Sequence, residues 1–297
     1  MTFKMDMDTM TTVGHTEVME RSGCNMAETI AVCNQKGGVG KTTTAVNLGV
    51  GLAREGYRVL MVDTDPQADL TTCLGWMKQD EMENTLAQLM QRSLVEDIDL
   101  HDVVLKNGEG VDLIPSNIEL SAMELQLVTV MSREMCLRNL LQSVQNDYDY
   151  IIIDCMPHLG MLTINALTAA DKVLIPLPQE YLATKGMTQL IQTISNVRRH
   201  TNPNLEVDGI LITLVDARRR TLISEMNTLI REDFGKYIRV YNQSIPAGVA
   251  ATKASSTGKS VYKFDPRSKV AEAYRNFTKE VISHGEGRLE AGLARSI

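Results

Sequence analysis

The sequence predicts an α/β fold, doubly wound, with a mostly parallel sheet and helices on both faces. Three observations predict it. A buried-strand run opens into a glycine turn and then a helix over residues 29–54. Two later apolar runs each end in aspartate. Further apolar runs then alternate with helical stretches along the 297 residues.

The first strand is Thr29 to Cys33 (TIAVC), where β-branched and small apolar residues suit a strand buried on both faces. The turn Asn34-Gln35-Lys36-Gly37-Gly38-Val39-Gly40-Lys41-Thr42-Thr43 follows. Its second half, Gly40-Lys41-Thr42, fits the phosphate-binding pattern G-x-x-x-x-G-K-[ST], but Gln35 stands where the first glycine belongs and Lys36 follows it. Gly37, Gly38 and Gly40 let the backbone close on a phosphate and turn its N–H groups inward around Val39. Thr42 to Arg54 reads as a helix with Ala45, Leu48, Leu52 and Ala53 on one face, and its N-terminus adds positive potential at the same place. Lys41 reaches the β- and γ-phosphates, Thr42 is a Mg²⁺ ligand, and Thr43 donates to the α-phosphate. Lys36 repeats a charge that Lys41 already supplies, which points to a role across an interface.

Arg58 to Asp63 (RVLMVD) is the second strand, stopped by Asp63-Thr64-Asp65-Pro66-Gln67. Carboxylates at this end face the site where parallel sheets bind ligands, so Asp63 is a candidate metal ligand and Asp65 the candidate that positions water. Tyr150 to Asp154 (YIIID) is the third strand, an apolar run ending in a second candidate Mg²⁺ ligand, Asp154. Lys172 to Pro176 and Val207 to Val215 supply two more buried strands.

With these residues in place, the chain resembles the ParA/Soj branch of the deviant Walker A ATPases, which partition plasmids and chromosomes. The resemblance runs from residue 28 to residue 282. It is carried by KGGVGKTTTAVNLG at 36–49, RVLMVDTDPQADLT at 58–71, YDYIIIDC at 148–155, LGMLTINALTAADKVLIPLPQEYLATKGMTQL at 159–190 and GKSVYKFDPRSKVAEAY at 258–274. It implies ATP and Mg²⁺ as cofactors, an ATP-dependent homodimer in which Lys36 touches the partner's nucleotide, Asp65 as catalytic residue, and adenine beside Ile245-Pro246. It also implies non-specific double-stranded DNA and a ParB-type adaptor as partners, slow hydrolysis without that adaptor, and a cytoplasmic, nucleoid-associated location.

Two departures stand out. Met156-Pro157-His158 replaces the family's two prolines and small residue, and His158 reads as a tolerated substitution rather than a general base. After Pro246, Ala247-Gly248-Val249-Ala250-Ala251-Thr252-Lys253 replaces the usual asparagine and arginines, which removes the usual basic contributors from this loop.

The net charge of −7 hides an asymmetry: residues 1–197 carry 13 basic and 26 acidic side chains, residues 198–297 carry 17 and 11. A local positive face, not total charge, attracts phosphate. The candidate DNA contacts are Arg218, Arg219, Arg220, Arg239, Lys253, Lys259, Lys263 and Arg267, with Arg231, Lys236 and Lys269 in the same cluster. Without interleaved aromatics or a helix-turn-helix pattern, the expected contacts are to the backbone.

Residues 1–27 read as a flexible extension, 28–282 as the ATPase domain and 283–297 as a C-terminal tail. The 35 residues before Lys36 fit the short subclass, which lacks an N-terminal DNA-reading domain. The five cysteines show no paired spacing, which argues for free thiols and against a metal cluster. No run is apolar enough to cross a bilayer, and the C-terminus lacks the lysines and large aromatics of a membrane-docking helix, so no membrane partner is expected. The alternative readings are a MinD-like membrane-positioning ATPase and a nucleotide-dependent scaffold that positions a protein complex without DNA.

Overall fold

The computed structural model describes residues 26–178, 184–216, 228, 230–232 and 234–295. Seven strands form one sheet: β1 Glu28–Val32, β2 Val59–Asp63, β3 Leu105–Lys106, β4 Asp112–Ile114, β5 Tyr150–Asp154, β6 Lys172–Pro178 and β7 Glu206–Thr213. Their spatial order is β3-β4-β2-β5-β1-β6-β7, and every pairing is parallel except β3 with β4.

The helices are α1 Lys41–Arg54, α2 Asp69–Cys73, α3 Leu86–Ser93, α4 Glu119–Leu127, α5 Cys136–Leu141, α6 Met161–Ala169, α7 Thr184–His200, α8 Val249–Ser256, α9 Val261–Phe264 and α10 Lys269–Arg295. They cover both faces, because successive strand residues point to opposite sides. On one side Ala31, Cys33, Ile151 and Ile153 pack with Leu162 and Ala166 of α6 and Leu190 and Ile194 of α7. On the other, Ile30, Val32 and Ile152 pack with Ala45, Leu48 and Leu52 of α1 and Tyr274 and Phe277 of α10. The fold class is as the sequence predicts.

Two boundaries differ from the sequence reading. β7 stops at Thr213 because Leu214 adopts a left-handed backbone, φ 56°, which no strand continues. α10 runs through residue 283, where a separate tail was expected, and reaches Arg295.

The central strand β1 lies between β5 and β6. The chain leaves β1 toward β2 on one side, and the passage from β5 to β6 crosses over it. Such a reversal opens a crevice at the carboxyl ends of the strands. Within it Val32 pairs with Asp154, and Asp154 pairs in turn with Asp63.

Candidate nucleotide site

The loop after β1 is held open by its own backbone. Asn34 donates to the Pro176 carbonyl at 2.7 Å and accepts the Lys36 N–H at 3.0 Å, which fixes the turn against β6. Gly38 and Gly40 have φ of 69° and 87°, and nothing lies within 4 Å of where a Cβ would sit on Gly37, Gly38 or Gly40. Gly38 and Gly40 are therefore needed for the left-handed turn, and side chains do not crowd any of the three glycines. Val39 is buried and its carbonyl accepts the Thr213 hydroxyl at 2.8 Å, which ties the loop to the end of β7.

Lys41 is 7% exposed and its Nζ donates to the Lys36 carbonyl at 3.1 Å, so its charge bridges the loop it belongs to. Lys36 itself is exposed. A cavity of about 740 Å³ opens here. Gly37, Gly38, Gly40, Lys41, Thr42 and Thr43 line one wall, Asp65 and Asp69 another, and Leu214 with Pro246 and Ala247 a third.

The three strand-end carboxylates separate by environment. Asp63 does not fit the expected role of metal ligand. Its Oδ1 accepts the Asp65 N–H at 3.1 Å, and its Oδ2 accepts both the Thr71 N–H at 2.9 Å and the Thr71 hydroxyl at 2.7 Å. Burial pushes its pKa up to about 7 in spite of those bonds. Asp63 thus holds the turn that carries Asp65. Asp65 lines the cavity, and its Oδ1 accepts the Gln67 N–H at 3.0 Å.

Asp154 is fully buried, and neither carboxylate oxygen has a hydrogen-bond partner. Burial, and then the neighbouring Asp63, hold its pKa well above the usual carboxylate range. The Thr42 hydroxyl and then the Lys41 ammonium counter this in part. An orphaned buried carboxylate beside a threonine hydroxyl and a lysine fits a Mg²⁺ ion carried in on phosphates. Such ions take one or two carboxylates rather than a full protein cage. No group of three metal-ligating side chains occurs among the described residues.

Several participants were not legible in the sequence. Asp69 lines the cavity one turn beyond Asp65, and burial followed by Asp65 raises its pKa. Ala68, at φ 55°, turns the chain so that both aspartates face the cavity. Leu214 and Tyr274 also line it, and only an alignment of contacts in space would have found them. Pro157 lines the cavity whereas His158 does not; His158 is exposed and its carbonyl accepts the Thr163 hydroxyl at 2.5 Å.

Of the expected DNA contacts, Lys253, Lys259, Lys263 and Arg267 are exposed on α8, α9 and the turns beside them. Arg218, Arg219 and Arg220 lie outside the described residues. Arg239 is a correction. Its guanidinium pairs with Glu280 at 3.3 Å and stacks 4.3 Å from the Tyr241 ring centroid, leaving the side chain 27% exposed. It braces α10 against the segment after β7 instead of presenting a charge. Arg231 is used likewise, donating to the carbonyls of Val240 and Tyr241.

Comparison with known proteins finds chains similar over most of this length. Residues 27–207 match the family described as AAA domain. The chain is 45% identical over 263 residues to the sporulation initiation inhibitor protein Soj of Bacillus subtilis (strain 168), covering 88% of this chain and 100% of that protein. It is 40% identical over 266 residues to the chromosome partitioning protein ParA of Caulobacter vibrioides (strain NA1000 / CB15N), covering 89% and 97%. Among solved structures, cobyrinic acid a,c-diamide synthase from Mycobacterium smegmatis with bound ADP and magnesium superposes with a TM-score of 0.76 at 36% identity, over 88% of this chain and 96% of that one.

Proposed function

The chain belongs to the ParA/Soj family of partition ATPases, and from that premise we propose that it is an ATP-gated switch that dimerises on nucleotide and grips DNA without sequence preference. The observation that carries the reading is a cavity walled by the open glycine turn and a sheltered lysine, with the unpartnered carboxylate of Asp154 buried behind it next to Thr42 and Lys41. The Mycobacterium structure, with its bound ADP and magnesium, supports nucleotide and Mg²⁺ as the occupants.

ATP bound with Mg²⁺ would supply the scissile phosphoanhydride and the negative charge that the loop gathers. The chain's own part is positional. Lys41 and the loop N–H groups would hold the phosphates, Thr42 and Asp154 would hold the metal, and Thr43 would serve the α-phosphate. Asp65, fixed by Asp63, orients water for hydrolysis. Pro246 and Ala247 border the purine. Lys36, exposed beside Gly37, reaches the nucleotide of a second protomer and so makes dimerisation depend on ATP. Joining two protomers doubles the basic face formed by Lys253, Lys259, Lys263 and Arg267 and raises its avidity for duplex DNA. Hydrolysis then releases it, faster with a ParB-type adaptor, at the nucleoid in the cytoplasm.

Size-exclusion chromatography with ATP and Mg²⁺ tests the switch. Wild-type protein is expected to dimerise and Lys36→Ala to stay monomeric while still binding ATP; a Lys36→Ala dimer overturns the role in trans. Duplex DNA binding is expected to require ATP and to weaken steeply with salt, and salt-insensitive binding sinks the partition reading. ATP turnover that depends on cobyrinic acid would instead place the chain with the activity in the Mycobacterium protein's name.

A further inference from the structure

α1 starts at the phosphate loop, packs along α10 and touches α9 through Asn47 and Gly51. Asn47, on its second turn, is 2% exposed, and both ends of its amide are engaged. Nδ2 donates to the Thr43 carbonyl at 2.7 Å, and Oδ1 accepts the Val261 N–H at 2.9 Å. Thr43 lines the nucleotide cavity. Val261 is the first residue of α9, the single turn that carries Lys263 and follows Lys259. One buried side chain therefore spans the distance from the cavity wall to the basic segment.

The surrounding contacts make that span stiff. The Thr44 hydroxyl lies 3.2 Å from the Tyr274 hydroxyl of α10, and Tyr274 also lines the cavity. Further along α1, a Cβ on Gly51 would sit 2.3 Å from the Thr278 hydroxyl and 2.8 Å from the Tyr262 hydroxyl. With helices this close, α1, α9 and α10 have no slack to slide independently. The start of α9 is gripped from its other side as well. Glu109, in the turn between β3 and β4, accepts the Ser260 N–H at 2.9 Å and the Ser260 hydroxyl.

We propose that Asn47 is a positioning residue that carries nucleotide occupancy from Thr43 to α9 and thereby sets Lys259 and Lys263 against the DNA backbone. The proposal rests on the DNA-binding part of the function proposed above. Phosphate seated on the first turn of α1 stiffens or shifts the Thr43 peptide. An amide bonded at both ends and screened from water passes that shift to the Val261 N–H, because no solvent is present to exchange partners. Lysines on a fixed turn lose less freedom on binding regularly spaced phosphates than lysines on a loose one. Asn47 should therefore govern how much ATP raises DNA affinity, while leaving affinity for ATP itself nearly unchanged.

Two measurements decide it. In wild-type protein, amide hydrogen exchange over residues 258–264 is expected to slow when ATP and Mg²⁺ are added; no change there overturns the proposal without need of a variant. In Asn47→Ala, ATP affinity is expected to stay within about threefold of wild type, with the ATP-dependent gain in DNA affinity cut about tenfold, the scale of one lost buried hydrogen bond. Thr44→Val, which leaves the Asn47 bonds in place, is expected to retain most of the gain. A full gain in Asn47→Ala, or parallel losses of ATP and DNA affinity, overturns the relay. If wild-type protein binds no DNA under any nucleotide, the DNA reading fails, and the exchange result still settles whether the cavity and α9 are coupled.

Discussion

Asp63 and Asp154 sit on paired positions of β2 and β5, both sealed from solvent, yet only Asp63 has its oxygens answered by donors. A buried carboxyl group without a partner costs stability unless something arrives to satisfy it. The same sheet edge thus holds one carboxylate that maintains the structure and one that waits for a ligand.

Removing them should have opposite effects. Asp63→Ala strands the Thr71 N–H, the Thr71 hydroxyl and the Asp65 N–H, each a loss of about 1–3 kcal/mol when buried. It should lower the melting temperature with and without nucleotide. Asp154→Ala should leave the nucleotide-free protein as stable as wild type or more so, and should abolish the stabilisation conferred by ATP with Mg²⁺. Thermal unfolding with and without ligand checks both; equal destabilisation of the nucleotide-free forms would contradict the assignment.

The thiols should be inert in the folded chain. Cys33, Cys73, Cys136 and Cys155 are all free and buried. Burial pushes the Cys73 thiol up to about 11, and contact with Cys33 together with burial holds Cys155 well above its ordinary range. The reactive species is the thiolate. In a Cys24→Ser background, an aromatic disulfide reagent at pH 8 is expected to find no fast-reacting thiol until denaturant is added, when the four buried thiols react. A rapidly modified native cysteine would contradict this packing.

Gly51→Ala should destabilise the protein although alanine favours helix by about 1 kcal/mol. The added methyl meets the Thr278 and Tyr262 hydroxyls on two packed helices, and such overpacking typically costs about 1–3 kcal/mol. Gly49→Ala meets the Met61 thioether instead, a long side chain that can turn aside. Urea unfolding should therefore rank Gly51→Ala below Gly49→Ala, and the reverse order would show that the α1–α10 contact yields.

His101 should titrate above its ordinary pKa of 6.5, because its ring bonds first to Asp99 and then to Asp147. A raised folded-state value means that its contribution is fully present below the unfolded pKa and disappears as pH rises through the folded one. Asp99 is lowered by the His101 backbone N–H and then by its ring, so its contribution is lost as pH falls through its folded value. Both groups are exposed, so the effect is small and should fade in salt. Proton NMR of the His101 ring against pH measures it; a value at or below 6.5 would show that the ring is not held by the two aspartates.

Much of this was legible in the sequence because the relevant signals are local. Gly38, Gly40 and Lys41 announce a phosphate turn through spacing alone, and the apolar runs announce strands buried on both faces. Asp63 and Asp154 look alike in one dimension, each an aspartate closing such a run. What separates them is Thr71, eight residues on, which turns back to one of them only in the fold. Arg239 was misread for the same reason: its acidic partner, Glu280, lies 41 residues on, in α10. The two-residue strand β3 is antiparallel and too short to show a period. Asn47 reads as one polar residue in a helix, and its tie to Val261 across 214 positions has no sequence signature.

The corrected basic set makes a quantitative claim about salt. A phosphate-contacting lysine or arginine adds about 0.9 to the slope of log affinity against log salt on duplex DNA. Alanine at Lys253, Lys259, Lys263 or Arg267, each exposed, should reduce that slope by up to this amount and weaken binding equally on unrelated sequences. Arg239→Ala should leave the slope unchanged. Its guanidinium is occupied by Glu280, which also accepts the Asn242 and Gln243 N–H groups at 2.8 and 3.0 Å. The loss should appear instead as a lower melting temperature, since a partly buried charge pair and a cation–π contact disappear together. Filter binding over a salt series, run beside thermal unfolding, separates the two outcomes. A lowered salt slope at unchanged stability for Arg239→Ala would return that residue to the DNA face.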